Sequence, residues 1–417
     1  MRIEGPLAIC QLLETTLLNL VNFASLVTTN ATRMRLAAGD DKTMLEFGLR
    51  RAQGPDGGIS ASKYCIIGGF DGTSNVLAGK LFDLTVKGTH AHAYVMAHTC
   101  MESLHTRFIQ STSGKEVDFV DLVLQKKAQL GEYPSANIGE LAAFIEYSQA
   151  FPHGMLALVD TYDTLQSGVP NFICVAAALY ELGYVPLGIR LDSGDLAYLS
   201  KETRKLFAHA DKVFGFTDRF FKLNIVASND LNEKVLASLV KEGHEINTFG
   251  IGTHLVTCHD QPALGCVYKL VEINGVPRIK LSQEVEKVVL PGSKSVFRIY
   301  GKDGTSIMDL IQLSSEPAPL VGVPLLCRHP FQENKRAMVS PSRVEPLLNL
   351  VWNCGELPQG VPSLESSKQT CKQQISSIRS DHIRGVHPTP YKVSVSQHLY
   401  DFLHQLWHKE APIVTLE

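Results

Sequence analysis

The stretch Gly183-Tyr-Val-Pro-Leu-Gly-Ile-Arg-Leu-Asp-Ser-Gly-Asp195 decides the fold of this chain. Its apolar run Val185–Ile189 predicts a buried strand, and the run ends at Arg190 and a short polar loop. A helical pattern from about Leu196 to Phe207 follows. Strand, polar loop and helix in this order form the repeating unit of a parallel sheet with crossover helices.

The same unit recurs on both sides of this stretch. Further strands are predicted at Met155–Val159, Leu223–Ala227 and Ile246–Phe249, and further helices at Asn171–Leu182 and up to about Glu242. Polar residues gather where each run ends, which in an α/β barrel is the rim that carries the active site. Ordinary polar loops would give a similar pattern. Because fewer than eight clear units are found, we expect an irregular barrel.

The composition of the chain excludes several classes of protein. With 417 residues, 44% hydrophobic and 19% charged, the chain is globular and large enough for two or three domains. The net charge is −3 and no basic block is present, so nothing in the charge pattern favours nucleic acid or membrane as a partner. The nine scattered cysteines are typical of free thiols in a reducing compartment.

The segments outside the repeating units give weaker signals. Leu12–Val27 predicts an amphipathic helix packed on a core, neither a membrane span nor a signal peptide. Thr43–Arg51 predicts a helix stopped by the turn Gly54–Gly58, and Leu81–Val86 resembles a strand. Beyond residue 300 we expect a smaller C-terminal domain without a catalytic signal, closed by a helix near Ser396–Trp407.

The loop after the decisive strand has two interpretations. Arg190 offers a planar fork suited to a carboxylate or phosphate. Asp192 and Asp195 can hold ribose hydroxyls or a hydrated Mg²⁺. A local Arg–Asp ion pair with a helix cap at Ser193 or Asp195 explains the same residues. The predicted place at a barrel rim favours the functional interpretation.

A second loop, Gly250-Ile251-Gly252-Thr253, lies between a predicted strand and a predicted helix. Glycines there allow backbone N–H groups to approach a phosphate, although a tight turn is the ordinary alternative. The sequence contains no GxxxxGK[S/T] motif, which excludes a Walker-type nucleotide site.

Two further loops carry polar residues. Gly68–Asn75 is a flexible loop on which a ligand could rest. In Thr89-His90-Ala91-His92, histidines two residues apart suggest a metal, but no cysteine or glutamate accompanies them. By residue type alone, structural roles are favoured for both histidines.

Together these motifs resemble the nicotinate phosphoribosyltransferase family. The matching motifs, in order, are GGFDGTSNVLAG (68–79), GTHAH (88–92), LVDTY (158–162), GIRLDSGDL (188–196), ASND (227–230), GIGT (250–253) and PGSK (291–294). LRRAQGPDGG (49–58) is similar to the animal form of the enzyme. The joint set is highly specific, whereas no single motif would be.

The resemblance implies an architecture. It is the irregular α/β barrel of the type II phosphoribosyltransferases, with a discontinuous α/β domain and a C-terminal domain. The expected bounds are 1–25 with 82–150 for the discontinuous domain, 26–81 with 151–300 for the barrel, and 301–417 for the C-terminal domain. A cytosolic homodimer with the active site at the dimer interface is implied as well.

The resemblance also implies a reaction, the first step of NAD synthesis from nicotinate. Nicotinate and phosphoribosyl pyrophosphate give nicotinate mononucleotide and pyrophosphate, coupled to ATP hydrolysis through a phosphohistidine. Mg²⁺, or Mn²⁺ in its place, is the implied cofactor, and ATP is the co-substrate.

The implied site residues are carried over position by position. His92 matches the phosphohistidine, Thr89 and Arg190 match nicotinate contacts, and Arg50 lines the same pocket. Gly250, Gly252, Thr253 and Asn229 match the phosphate and phosphoribosyl site. Asp160 and Asp192 match catalytic carboxylates near the ribose and the pyrophosphate, with Asp160 as the metal ligand.

The start of the chain departs from the family pattern. Family members carry a further N-terminal segment with a T-D-x-Y-like motif, whose ring stacks on nicotinate across the dimer. We therefore expect a shortened form that is poorly stable and nearly inactive alone. Val289 also replaces a threonine often found before PGSK.

Three alternatives stay open at this point. One is a relative that uses nicotinamide, and another is a non-catalytic product that dimerises with a longer enzyme. The third, another phosphate-handling barrel enzyme, is disfavoured by the joint motif set.

Overall fold

The structure is a computed structural model that describes residues 1–131, 133–284 and 287–411. The contacts within the chain divide it into two units. One unit is Ala24–Ala263, here called the barrel unit, and the other is Met1–Phe23 with Leu264–Glu417, here called the C-terminal unit. The three-part division expected from the sequence stays a prediction.

The helices and strands of the described residues are named in chain order. The helices are α1 (Leu7–Ala38), α2 (Gly54–Ile67), α3 (Val76–Phe82), α4 (His92–Met96), α5 (Phe119–Leu130), α6 (Ile138–Ala150), α7 (Val169–Glu181), α8 (Leu196–Phe214), α9 (Glu233–Glu242), α10 (Thr253–Thr257), α11 (Leu364–Ser376), α12 (Ser380–Ile383) and α13 (Gln397–Glu410). The strands are β1 (Thr43–Glu46), β2 (Gly72–Thr73), β3 (Phe108–Gln110), β4 (Glu116–Asp118), β5 (Leu156–Leu158), β6 (Gly188–Leu191), β7 (Asn224–Ala227), β8 (Thr248–Ile251), β9 (Glu272–Ile273), β10 (Val276–Pro277), β11 (Lys294–Tyr300), β12 (Ser306–Leu313), β13 (Leu325–Arg328), β14 (Arg336–Val339), β15 (Arg343–Pro346) and β16 (Lys392–Ser396).

The barrel unit is built on a six-stranded sheet whose strands all run parallel, in the order β2-β1-β8-β7-β6-β5. The predicted alternation of strands and helices between residues 155 and 253 is confirmed, with strand bounds shifted by at most three residues. Ile189, Ile225 and Phe249 point into the core and are fully buried. The α/β fold class is therefore confirmed, and the carboxyl ends of the strands share one edge of the sheet.

The segment Thr85–His90, here called the closing segment, reaches both outer strands of this sheet. At one edge, Val86 forms a parallel bridge with Thr73 of β2. At the other edge, the N–H of Leu158 in β5 donates to Nε2 of His90. One short segment therefore links the two edge strands β2 and β5, which do not pair with each other among the described residues, so the irregular barrel closes only through this segment.

Three predictions for residues 43–86 are wrong. Thr43–Arg51 is not a helix, because Met44 and its neighbours form the buried strand β1, followed by the 3₁₀ turn Leu49–Arg51. A strand buried on both faces has no alternating pattern and is easily mistaken for a helix. The turn expected at Gly54–Gly58 is instead the first turn of α2, where Pro55 is tolerated because helix N-termini leave N–H groups unpaired. Leu81–Val86 is not a strand either, since α3 runs to Phe82.

Helix α1 confirms the predicted N-terminal helix and extends beyond it. Its C-terminal half packs Leu26, Val27 and Met34 into a core, so packing on a core is correct for that half only. Apolar residues of the N-terminal half, such as Leu12 and Leu20, are exposed. By length and composition alone, Leu7–Ala38 could span a membrane, with a mean hydropathy of 1.4 over 18 residues. One such helix near the N-terminus is weak evidence, because core helices and signal sequences have the same character.

The C-terminal unit contains a mixed six-stranded sheet in the order β14-β13-β16-β12-β11-β15. Strand β12 alternates buried and half-buried residues, as a sheet with one covered face requires. The predicted closing helix is confirmed as α13, which buries Leu399 and Leu403 completely.

Candidate active site

Polar side chains of the barrel unit meet at the carboxyl ends of three neighbouring strands. Asp160 lies two residues beyond β5, Arg190 lies within β6, and Ser228 directly follows β7. Two residues around the closing segment, Thr89 and His92, reach the same edge. Thr89, His92, Asp160, Arg190 and Asp192 are linked by direct contacts and are called the rim cluster below.

Arg190 is the centre of the rim cluster. Its Nη1 donates to Oγ1 of Thr89 at 3.0 Å, and its Nη2 donates to Oδ1 of Asp192 at 3.1 Å. Its Nε donates to Oγ of Ser228 at 2.7 Å, and the guanidinium lies 5.5 Å from the centre of the Phe47 ring. Four neighbours therefore fix the plane of a group that still has N–H donors for a ligand.

His92 lies between two carboxylates at the start of α4. Its Nε2 is 3.8 Å from Asp160 Oδ1 and 3.7 Å from Asp192 Oδ2. Its Nδ1 is 3.1 Å from Oγ1 of Thr161. The hydroxyl fixes one ring nitrogen, so the other is directed between the two aspartates while the side chain stays 39% exposed.

Asp160 orders the loop that follows β6. Its Oδ2 accepts from the backbone N–H of Asp192 at 3.2 Å and from the hydroxyl of Ser193 at 2.5 Å. Its side chain is only 2% exposed, and among the described residues its Oδ1 has no hydrogen-bond partner. A buried carboxylate oxygen without a partner is unusual and marks a position where a ligand or ion would be stabilised.

The second interpretation of this loop, a local Arg–Asp ion pair with a helix cap, also holds in the structure. The Arg190–Asp192 ion pair forms, and the side chain of Asp195 caps α8 by accepting from the N–H of Tyr198. Asp195 is therefore a helix cap and lies outside the rim cluster. Asp192 differs, because its Oδ2 faces His92 in addition to the pairing of its Oδ1 with Arg190.

The remaining predicted residues, Arg50, Asn229 and Thr253, follow strands β1, β7 and β8 of the same sheet. Thr253 begins the short helix α10, and Asn229 is exposed next to Ser228 with a φ of 121°. Arg50 is exposed on the 3₁₀ turn that follows Phe47. Among the described residues none of these three forms a hydrogen bond with the rim cluster.

The two glycines of the GIGT loop have a packing explanation. A Cβ on Gly250 would lie 2.4 Å from the Phe47 ring, and one on Gly252 would lie 2.9 Å from the carbonyl oxygen of Phe47. Because Gly250 is inside β8, only its lack of a side chain lets Phe47 reach Arg190. These glycines therefore shape the wall of the site, whether or not they also approach a phosphate.

The polar residues of the Gly68–Asn75 loop are tied to the barrel wall. The buried carboxylate of Glu46 accepts from the hydroxyls of Thr73 at 2.5 Å and Ser62 at 2.8 Å. Asn75 caps α3, and Arg35 pairs with Asp71. This loop is built into the barrel wall, in contrast to the flexible loop expected from its composition.

A second buried carboxyl, Glu140 on α6, lies near Asp160. Its side chain is fully buried, and its Oε2 accepts from Ser167 Oγ at 2.5 Å and Asn171 Nδ2 at 3.1 Å. Burial, aided by the neighbouring Asp160 charge, raises the pKa of Glu140 to about 7 despite those two hydrogen bonds.

Sequence reasoning missed three residues of the site. Thr161 and Ser228 stand inside the LVDTY and ASND motifs, which gave a signal for the segment but not for the side chain. Phe47 had no signal, because it lies within the segment misread as a helix. Among the described residues, no group of three or more histidine, cysteine or acidic side chains has a geometry that could hold a metal ion.

Comparison with known proteins identifies what this arrangement resembles. Residues 43–305 match the model of the nicotinate phosphoribosyltransferase (NAPRTase) family, and residues 293–403 match its C-terminal domain. The nicotinate phosphoribosyltransferase of Dictyostelium discoideum is 54% identical over 99% of this chain and 71% of its own length. The Homo sapiens enzyme is 44% identical over 99% of this chain and 78% of its own. A crystal structure of human nicotinic acid phosphoribosyltransferase superposes with a TM-score of 0.85 at 41% identity, covering 96% of this chain and 78% of that one.

Proposed function

The chain belongs to the nicotinate phosphoribosyltransferase family, and we propose on this basis that it joins nicotinate to phosphoribosyl pyrophosphate with hydrolysis of ATP. The products are nicotinate mononucleotide, pyrophosphate, ADP and phosphate. The structural observation that carries the proposal is the rim cluster, which combines a guanidinium, a histidine and two carboxylates within one set of contacts.

The chemistry of glycosyl transfer fits these residue types. The pyridine nitrogen of nicotinate forms a bond to the anomeric carbon while the bond from that carbon to pyrophosphate breaks. Positive charge develops on the ribose, and the carboxylates of Asp160 and Asp192 stabilise it. Arg190 and Thr89 hold the nicotinate carboxylate, and the pyridine nitrogen needs no general base. The protein contributes mainly position and charge.

His92 is the proposed acceptor of phosphate from ATP. Because Thr161 engages Nδ1, Nε2 is the nitrogen that attacks the γ-phosphorus as the bond to ADP breaks. Water later cleaves the phosphorus–nitrogen bond and returns the imidazole to its starting state.

The donor set is compatible with Mg²⁺, and Mn²⁺ would bind in the same way. Asp160 Oδ1 is buried without a hydrogen-bond partner among the described residues, and Asp192 Oδ2 lies 3.7 Å from the same His92 Nε2 that is 3.8 Å from Asp160 Oδ1. Mg²⁺ prefers one or two carboxylates together with substrate phosphate oxygens, so a larger protein cage is not required. When bound, the ion would neutralise charge on the leaving pyrophosphate.

The proposed assembly is a cytosolic homodimer. No disulfide is found among the described residues, which supports a reducing compartment. Light scattering separates a 45.8 kDa protomer from a dimer of twice that mass.

A turnover assay tests the proposed function. Purified chain is incubated with nicotinate, phosphoribosyl pyrophosphate and Mg²⁺, with and without ATP, and nicotinate mononucleotide and ADP are quantified. The family match leads us to propose product formation stimulated by ATP and little product in the nicotinamide arm, in place of the near inactivity expected from the sequence alone. No product from a folded chain would favour the non-catalytic alternative, and equal use of nicotinamide would favour the nicotinamide-using relative.

The role of His92 is tested in the same assay. His92→Ala should abolish ATP stimulation and phosphate labelling from γ-labelled ATP while leaving the melting curve unchanged. His105→Ala is the matched control, because His105 is an exposed histidine of the same unit at 86% exposure. Full ATP stimulation in His92→Ala would show that phosphate is carried elsewhere.

A further inference from the structure

The sheet of the barrel unit is open at β5, and a side chain occupies the open edge. In a parallel sheet, successive N–H groups of a strand point to opposite neighbours. The N–H of Val159 donates to the carbonyl of Arg190 in β6, so the N–H of Leu158 points away from β6. That N–H donates to Nε2 of His90 at 3.1 Å. Leu158 is 1% exposed, so in the folded chain this N–H relies on a protein acceptor rather than on bulk solvent.

His90 is held in the orientation that this bond requires. Its ring packs against Tyr147 and Tyr94, with centroids 4.9 Å and 5.4 Å away, and against Phe144 at 6.1 Å. Its Nδ1 lies 3.4 Å from the carbonyl oxygen of Ala91, which places the ring proton on Nδ1. Burial lowers the pKa of His90 to about 4, with Arg190 and His92 adding to the effect. The imidazole is therefore neutral at pH 7, and Nε2 is free to accept.

The residues on either side of His90 belong to the rim cluster. Thr89 donates its hydroxyl to the carbonyl of His90 and accepts from Arg190. His92 follows two positions later and contacts Thr161 and the two aspartates. Although the two histidines are close in sequence, His92 faces the cluster and His90 faces the edge of β5.

We propose that His90 is a positioning residue, whose Nε2 takes the place of a neighbouring strand at the edge of β5 and thereby holds Thr89 and His92 at the rim. This inference rests on the proposed function for its kinetic consequences, but the contact with Leu158 can be tested without any activity. His90 itself touches no reacting atom in this scheme.

A matched pair of variants separates the acceptor from the bulk of the side chain. His90→Gln keeps an acceptor that can reach the Leu158 N–H, whereas His90→Met has the same length and only a weak acceptor. His244→Leu is the control, because the half-buried His244 also accepts a backbone N–H, from Ile246, and packs on Phe249. His244 lies outside the rim cluster.

Steady-state kinetics test whether Thr89 and His92 keep their positions when His90 is substituted. In His90→Met we expect the KM for nicotinate to rise about tenfold and ADP release per nucleotide formed to rise about threefold, with kcat at saturation changing less. His90→Gln should restore both values to within about threefold of the original chain. His244→Leu should change neither. The inference is overturned if the Met variant behaves like His244→Leu, or if Gln is no better than Met.

Hydrogen exchange tests the contact directly. The Leu158 amide should exchange slowly in the original chain and in His90→Gln, and at least about tenfold faster in His90→Met. Unchanged exchange in His90→Met overturns the inference even if the enzyme is active. Loss of protection in His90→Met from a chain without turnover would support the inference while contradicting the proposed function. If the Met variant is insoluble, the Gln variant decides, and fast exchange in it overturns the inference.

Discussion

Single residues of the rim cluster combine structural and chemical roles. The sequence left two interpretations of Arg190, a local ion pair with an aspartate or a contact with a ligand. In the structure the ion pair with Asp192 forms and is itself part of the rim cluster. The residue types at the strand end were enough to single out Arg190 and Asp192, whereas Asp160 was assigned through the family resemblance. They could not show that Gly250 makes room for Phe47, because that contact joins residues about two hundred positions apart and depends on tertiary packing.

The carboxylate specificity of Arg190 is a prediction at this scale. A hydrogen bond to a charged group contributes about 1.5–3 kcal/mol, so Arg190→Ala should lower kcat/KM for nicotinate by about ten- to a hundred-fold. Nicotinamide, which carries no charge, should lose less. Steady-state kinetics with both substrates measure the difference. Since Arg190 also orders Thr89, Asp192 and Ser228, equal losses for both substrates would mean that it acts on the site only through those neighbours.

At the scale of helices and strands, the elements whose apolar residues recur at a regular helical or strand spacing were predicted well. The N-termini of helices α7 and α8 were predicted to within two residues, and strand β6 between them was found. Strand β1 was missed because it is only four residues long and its last three residues are all buried, so its sequence shows no alternation of apolar and polar residues. The closing segment could not be predicted either. Its bond to β5 uses a side chain in place of a backbone ladder, which leaves no trace in a hydrophobic pattern.

Helix α1 allows a matched test of burial along a single element. Leu26 is 7% exposed and Leu12 is 79% exposed. Leu26→Ala should lower the free energy of unfolding by about 2–5 kcal/mol, because it empties a packed position. Leu12→Ala should change it by less than about 0.5 kcal/mol. Urea denaturation at several protein concentrations measures both. A large, concentration-dependent loss in Leu12→Ala would show instead that the exposed face is covered by another copy of the chain.

At the scale of the whole molecule, two groups near the rim, the half-buried His90 and the fully buried Glu140, have opposite effects on stability as pH changes. The pKa of His90 is lowered to about 4 in the folded chain, so the folded state binds fewer protons than the unfolded state below about pH 6.5. Its contribution to stability is present above that pH and is lost as pH falls toward 4. The pKa of Glu140 is raised to about 7, so its contribution is present below about pH 4.5 and is lost as pH rises through 7.

Between about pH 4.5 and 6.5 these two contributions oppose each other, and substitution should expose each one. Glu140→Gln keeps an oxygen that can accept from Ser167 and Asn171 but cannot ionise. Its free energy of unfolding should therefore rise with pH across that window, by at most about 1.4 kcal/mol per pH unit for one proton. His90→Gln should show the reverse slope, because only the Glu140 term is left. The free energy of unfolding of the original chain and of the two variants is measured by denaturant unfolding at about pH 5, 6 and 7. Subtracting the values of the original chain from those of each variant removes the titration of the groups that all three proteins share. Parallel profiles for all three proteins would mean that neither group titrates between the folded and unfolded states, and that the carboxyl of Glu140 is not held protonated behind the rim cluster.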